Sequence, residues 1–239
     1  MPDFFASPEF WIAVLQIIAI DVVLSGDNAV VIALACRDLP AEQRRQGIFW
    51  GVGGAVILRV VLTFFAVGLL AMPWLKIAGG LLLLWIAVKL LLPEDEGSGH
   101  QIPPAQHLIG AIKTIIVADF VMSLDNVVGV AAAAKGNLWL LIFGLIVSIP
   151  LIVWSSQLIM KLMERFPMIV ILGAALLGYV AGEMIVGDPA LKEVLASHIP
   201  PSWQHFSHQL TGALCALLVV GLGKLIEHRR ATLRNVTIV

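Results

Sequence analysis

Residues 21–30 read DVVLSGDNAV, and they interrupt an apolar run that extends from about residue 9 to residue 36. Two carboxylates, an amide and a hydroxyl (Asp21, Ser25, Asp27 and Asn28) stand in that run. In hydrocarbon such groups are costly unless partnered, and ionisable groups kept there by default serve a function. Composition decides whether the run crosses a membrane. Of 239 residues, 59% are hydrophobic and 13% charged, where a soluble domain has about 45–50% and about 25%. The chain is read as an all-α polytopic membrane protein, with the lipid bilayer as its first partner.

A spanning helix needs roughly 20 apolar residues. Seven segments are read at about that length: 9–36, 48–70, 73–92, 108–134, 138–160, 168–186 and 210–226, all in one transmembrane domain covering 1–239. Polar or proline-rich stretches such as RDLPAEQRRQ and PEDEGSGHQIPPAQ join them. With the N-terminus outside, ten Lys and Arg, among them Arg37, Arg44, Arg45, Arg229 and Arg230, fall on the cytoplasmic side. Only Lys76, Lys135 and Lys192 fall on the outer side. Excess Lys and Arg mark the cytoplasmic face, so the N-terminus is expected outside and the C-terminus in the cytoplasm. MPDFFASPEFW holds no Lys or Arg, so no cleaved secretory signal is expected. Cys36 and Cys215 lie in apolar segments and read as small core residues.

The run has a second copy. Residues 21–37, DVVLSGDNAVVIALACR, and 119–135, DFVMSLDNVVGVAAAAK, are identical at eight of seventeen positions, and both carry D-x-x-x-S-x-D-N. The copies sit in the first and fourth spans. Three spans separate their starting points, so they cross in opposite directions. This predicts a 3+3 inverted repeat (about 9–92 and about 108–187) with an added helix at about 210–226. Transporters use such repeats to build a midplane site exposed alternately to each side.

At 100° per residue, Asp21, Ser25 and Asn28 share one helical face, and Asp27 lies roughly 120° away. Asp119, Ser123 and Asn126 repeat that face, with Asp125 off it. A helix break at Gly26 would re-aim Asp27, whereas the second copy has Leu124 there. Asp27 and Asp125 are either ligands or partners of a neighbouring cation. Neither motif contains Cys or His, and hard oxygen ligands suit Mg²⁺, Ca²⁺ or Mn²⁺. Converging carboxylates would hold protons until a cation neutralised them, so exchange of a divalent ion for protons is the expected chemistry.

At these residues the chain resembles the TerC family of membrane proteins, within the wider lysine-exporter superfamily. The doubled SGDN and SLDN helices with upstream Asp21 and Asp119 carry the resemblance, and the seven-span layout extends it over most of the chain. The resemblance implies manganese export, a link to tellurium resistance, and supply of metal to exported metalloenzymes. It implies a metal site at Asp21, Ser25, Asp27, Asn28, Asp119, Ser123, Asp125 and Asn126. No prosthetic group is expected.

Among other polar residues, Glu183 is read as an accessory ligand or proton carrier, or as an interfacial carboxylate reaching water. Arg59, in mid-span, is expected to pair with Asp27 or Asp125. The glycines of GVGGAVILRV are read as helix-packing positions, since no strand precedes them and no GK[ST] follows. Basic residues spread along one membrane face leave no nucleic-acid signature. The leading reading is a bacterial inner-membrane exporter of a hard divalent cation, Mn²⁺ first, working by alternating access. The alternative is a non-transporting partner, as a homo-oligomer or with exported metalloenzymes, that supplies metal or organises a resistance complex. An amino-acid or small-solute exporter ranks lower because the motifs are acidic. No nucleophile–base constellation suggests an enzyme.

Overall fold

In the computed structural model, residues 8–24, 26–70, 72–92, 104–134, 137–191 and 201–237 are described. These residues are nearly all helical, with no strand among them. The helices are α1 (Pro8–Leu24), α2 (Gly26–Cys36), α3 (Ala41–Leu70), α4 (Leu75–Leu91), α5 (Pro104–Ala134), α6 (Leu138–Arg165), α7 (Met168–Val186) and α8 (Pro201–Thr237). Proline opens α1, α5 and α8, where its missing N–H costs nothing.

Five helices are long and apolar enough to cross a membrane, and six if α1 and α2 form one bent span. α4 is as apolar, but its 17 residues reach only about 26 Å at about 1.5 Å each, short of a core about 30 Å thick. The described helices therefore give five to six full-length spans against the seven expected. The stretch from Pro201 to Gln209, ahead of the seventh expected span, is helical and continuous with it in α8.

The chain forms two compact units. One holds residues 1–71 and 102–162, the other 72–101 and 163–239. Each expected repeat gives its first two spans to the first unit and its third to the second, which also takes the added helix.

In the first unit, α5 is the central element, packed by α1, α2 and α3. Close approach of α3 is built by glycine. A methyl at Gly51 would come 2.6 Å from Ile115 Cδ1, and one at Gly54 2.6 Å from Ile116 Cδ1, whereas Gly53 has open space. Gly144 of α6 meets Ile17 of α1 in the same way. Around these contacts the unit is polar within and apolar without. Asp21, Arg59 and Asp119 are buried while Ile57, Phe64 and Phe65 of α3 are each more than 60% exposed. That inversion suits a helix facing lipid.

In the second unit, α7 packs against α4 and α8. Gly178 and Gly182 place it on the backbone of α8, where a Cβ at Gly182 would lie 2.6 Å from Thr211 O. This is the small-residue spacing that brings membrane helices together. Asp188, beyond the end of α7, is fully buried and caps α4. Its carboxylate accepts from the N–H groups of Trp74 (3.0 Å), Lys76 (3.0 Å), Ile77 (3.3 Å) and Ala190 (2.8 Å). Burial opposes its charge, but these donors win and hold its pKa below the ordinary aspartate value. Trp74, the residue before α4, is left-handed with φ 72°, a strained conformation for an aromatic residue.

Candidate cation site between the motif helices

The first motif breaks its helix, and the second does not. α1 ends at Leu24 and α2 begins at Gly26, with axes 52° apart. Glycine is the weakest helix former after proline, and leucine is among the best. With Leu124 in the corresponding place, α5 runs without interruption from Pro104 to Ala134. Asp119 stands at its middle, fifteen residues from either end.

Four of the six residues expected on the shared faces are buried. Asp21, Asn28, Asp119 and Ser123 are all at most 6% exposed. Off that face, Asp27 is half-buried and Asp125 exposed. Asn126 is half-buried, and Ser25 lies outside the described residues. Asp27, now in the first turn of α2, accepts from the Asn28 backbone N–H at 2.9 Å. A carboxylate is favoured at that helix end.

The two copies meet directly. Asn28 Nδ2 donates to Asp119 Oδ1 at 2.9 Å. Arg59 joins them from α3: Nη1 donates to Asp21 Oδ1, Nη2 to Asp119 Oδ1 at 2.5 Å, and Nε to Ser123 Oγ at 3.1 Å. Ser123 Oγ in turn donates to Asp119 Oδ2 at 3.1 Å. This corrects one expectation. Arg59 pairs with motif aspartates, but with Asp21 and Asp119 rather than Asp27 or Asp125. Asp21 and Asp119 are buried beside Arg59, whereas Asp27 is half-buried and Asp125 exposed, and a buried guanidinium is held by carboxylates buried with it.

Ser148 of α6 was not read as a site residue. Its hydroxyl donates to Asp21 Oδ2 and also lies 2.8 Å from Leu145 O. One isolated serine in an apolar helix commonly bonds its own backbone, so the sequence carries no sign of this role. Glu183 belongs to the second unit and is half-buried.

Two features beyond the ion pairs matter for chemistry. A cavity of about 20 Å³ is lined by Asn28, Arg59 and Asp119 among aliphatic side chains of α2, α3, α5 and α6. It is large enough for one water-sized guest. Asn28 Oδ1, buried at this cavity, has no hydrogen-bond partner among the described residues. The amide cannot be reversed, because the Asp119 carboxylate demands the N–H₂ end. No group of three or more His, Cys, Asp or Glu is gathered closely enough to hold a metal among the described residues. The inner oxygens are instead two carboxylates, one amide and hydroxyls, with a guanidinium between the carboxylates.

Comparison with known proteins places the whole chain. The profile of the integral membrane protein TerC family matches residues 6–231. The uncharacterized membrane protein YjbE of Bacillus subtilis is 46% identical over 190 residues, 80% of this chain and 86% of that one. The UPF0053 inner membrane protein YgdQ of Escherichia coli is 24% identical over 216 residues, 84% and 88% of the two chains. No solved structure matches. A match across nearly all of its length, on a helical multi-pass scaffold, makes this chain a member of the TerC family of integral membrane proteins.

Proposed function

We propose that the protein is a bacterial inner-membrane transporter that exports a hard divalent cation, Mn²⁺ first. The site lies between the motif helices, and alternating access moves the ion with protons passing the other way. Asp21, Asn28, Asp119 and Ser123 form its inner shell, and Asp27, Asp125 and Asn126 stand outside it; Ser25 is kept as a candidate ligand from its place in the motif. The observation that carries the reading is the meeting of carboxylates from both motif copies beside a buried amide oxygen with no partner among the described residues and a one-guest cavity. Such oxygens suit a small doubly charged ion that has shed its water. Manganese and outward flux rest on the family resemblance, and the N-out orientation on the Lys and Arg distribution.

The test is transport by the purified protein in liposomes. Wild type should move Mn²⁺ down a gradient, faster when a proton gradient opposes it. Asp21→Asn and Asp119→Asn should abolish flux while the protein remains folded by circular dichroism. Undiminished flux in both variants overturns the site.

A further inference from the structure

Arg59 is the one cation placed within the inner cluster among the described residues. It is 2% exposed and sets its guanidinium between Asp21 and Asp119, both buried and one from each motif copy. Without a cation at that place two carboxylates would face each other in surroundings where an unpaired charge is costly.

We infer that Arg59 is a tethered competitor of the transported ion: its guanidinium fills the place between Asp21 and Asp119, and must release them for the ion to bind. The inference rests on the proposed function above. Its fork gives one nitrogen to each carboxylate, one from each motif copy. Those are the oxygens an ion would need. In this arrangement Asn28 Nδ2 donates to Asp119 Oδ1, and Asn28 Oδ1 has no hydrogen-bond partner among the described residues. That oxygen is an acceptor left over by the arginine-bound state and usable by a metal cation. A third contact, Nε to Ser123 Oγ, can keep the side chain anchored when its two Nη groups let go.

The consequence is a division of labour over the transport cycle. An ion-free carrier holding two bare carboxylates would be trapped by their repulsion and desolvation. With Arg59 bridging them, the ion-free cluster keeps a counter-charge between its carboxylates as the carrier returns. With the ion bound, Arg59 is displaced.

Mn²⁺ binding to the full-length protein in nanodiscs tests this, using wild type, Arg59→Gln and Arg59→Lys. If the released state is no more than about a tenth of wild-type molecules, removing the competitor lowers the Mn²⁺ Kd by at least about tenfold. Arg59→Lys, with one ammonium that cannot fork across both carboxylates, should lower it by a smaller factor. In liposomes, net Mn²⁺ efflux by Arg59→Gln should fall more than Mn²⁺/Mn²⁺ exchange, because exchange omits the empty return. A merely structural arginine predicts weaker binding in both variants and equal loss of flux and exchange. Unchanged or weaker binding in both variants overturns the inference while leaving wild-type transport intact. If Arg59→Gln does not fold, Arg59→Lys decides alone by the same criterion. Wild type that neither binds nor moves Mn²⁺ overturns the proposed function, and this inference with it.

Discussion

Asp119 accepts from three side chains in the inner cluster. One oxygen accepts from Arg59 and Asn28, the other from Ser123. Asp119→Asn keeps the shape and removes the charge, leaving Arg59 with Asp21 alone. Breaking a buried pair in this way typically costs about 3–5 kcal/mol, and we expect a lower thermal midpoint that added Mn²⁺ no longer raises. Ser148→Ala removes a donor to Asp21 without touching charge. Loss of such a supporting hydrogen bond weakens metal binding by about 10–100-fold, measurable by Mn²⁺ titration, and a Ser148→Ala protein with wild-type affinity would remove Ser148 from the site. At this scale the inner face was legible in the sequence, because 100° per residue fixes which of D-x-x-x-S-x-D-N face together. Arg59's partners were not. Angular position says which side of a helix a residue takes, but not at what height a neighbouring helix presents its own side chain.

Helix α1–α2 and helix α5 carry nearly the same motif and behave differently. The 52° bend falls where the first copy has Gly26, and the straight helix where the second has Leu124. A Cβ at Gly26 would meet nothing within 4 Å, so Gly26→Ala should fold normally. It favours helix by about 0.8–1 kcal/mol, and should slow Mn²⁺ flux without weakening Mn²⁺ binding, as liposome rates and titration would show. Gly51→Ala is the opposite case. Its Cβ would crowd the branched Ile115 side chain at 2.6, 3.1 and 3.2 Å, and overpacking of this kind costs about 1–3 kcal/mol. The glycine run was readable as a packing surface, although the sequence could not separate Gly51 and Gly54, which touch α5, from Gly53, which does not.

In the second unit the corresponding test is the α4 cap. Asp188→Ala should lower stability by about 0.5–2 kcal/mol at pH 7, as losing a helix cap does. Because folding depresses the Asp188 pKa, the wild-type advantage is fully present above the unfolded value of about 3.9. It is lost only as pH falls through the lower folded value. Thermal melts of both proteins at pH 7 and pH 3 check the sign. Nothing in the sequence announced this cap, because Asp188 lies 111 to 114 residues from the α4 amides it accepts from.

Over the whole molecule, the helical class and the membrane setting were plain from composition, since 59% apolar residues cannot all be buried in a chain of this size. The number of full spans was not. Hydropathy cannot tell a 17-residue helix such as α4 from one that reaches both headgroup layers. Orientation is testable directly: with the C-terminus in the cytoplasm, a cysteine introduced near Glu227 in a cysteine-free background should resist membrane-impermeant maleimide added to intact cells and react after lysis. Labelling in intact cells would reverse the assignment.

The bend also bears on the kinetics of the transport proposed above. A carrier of that kind, jointed at one motif helix and stiff at the other, has no reason to climb equal barriers in its two reorientations, so inward and outward turnover should differ at matched concentrations. Such lopsidedness cannot set the final gradient, which depends only on the driving ions. It can set how quickly a cell sheds a sudden excess, and how slowly the same ion leaks back.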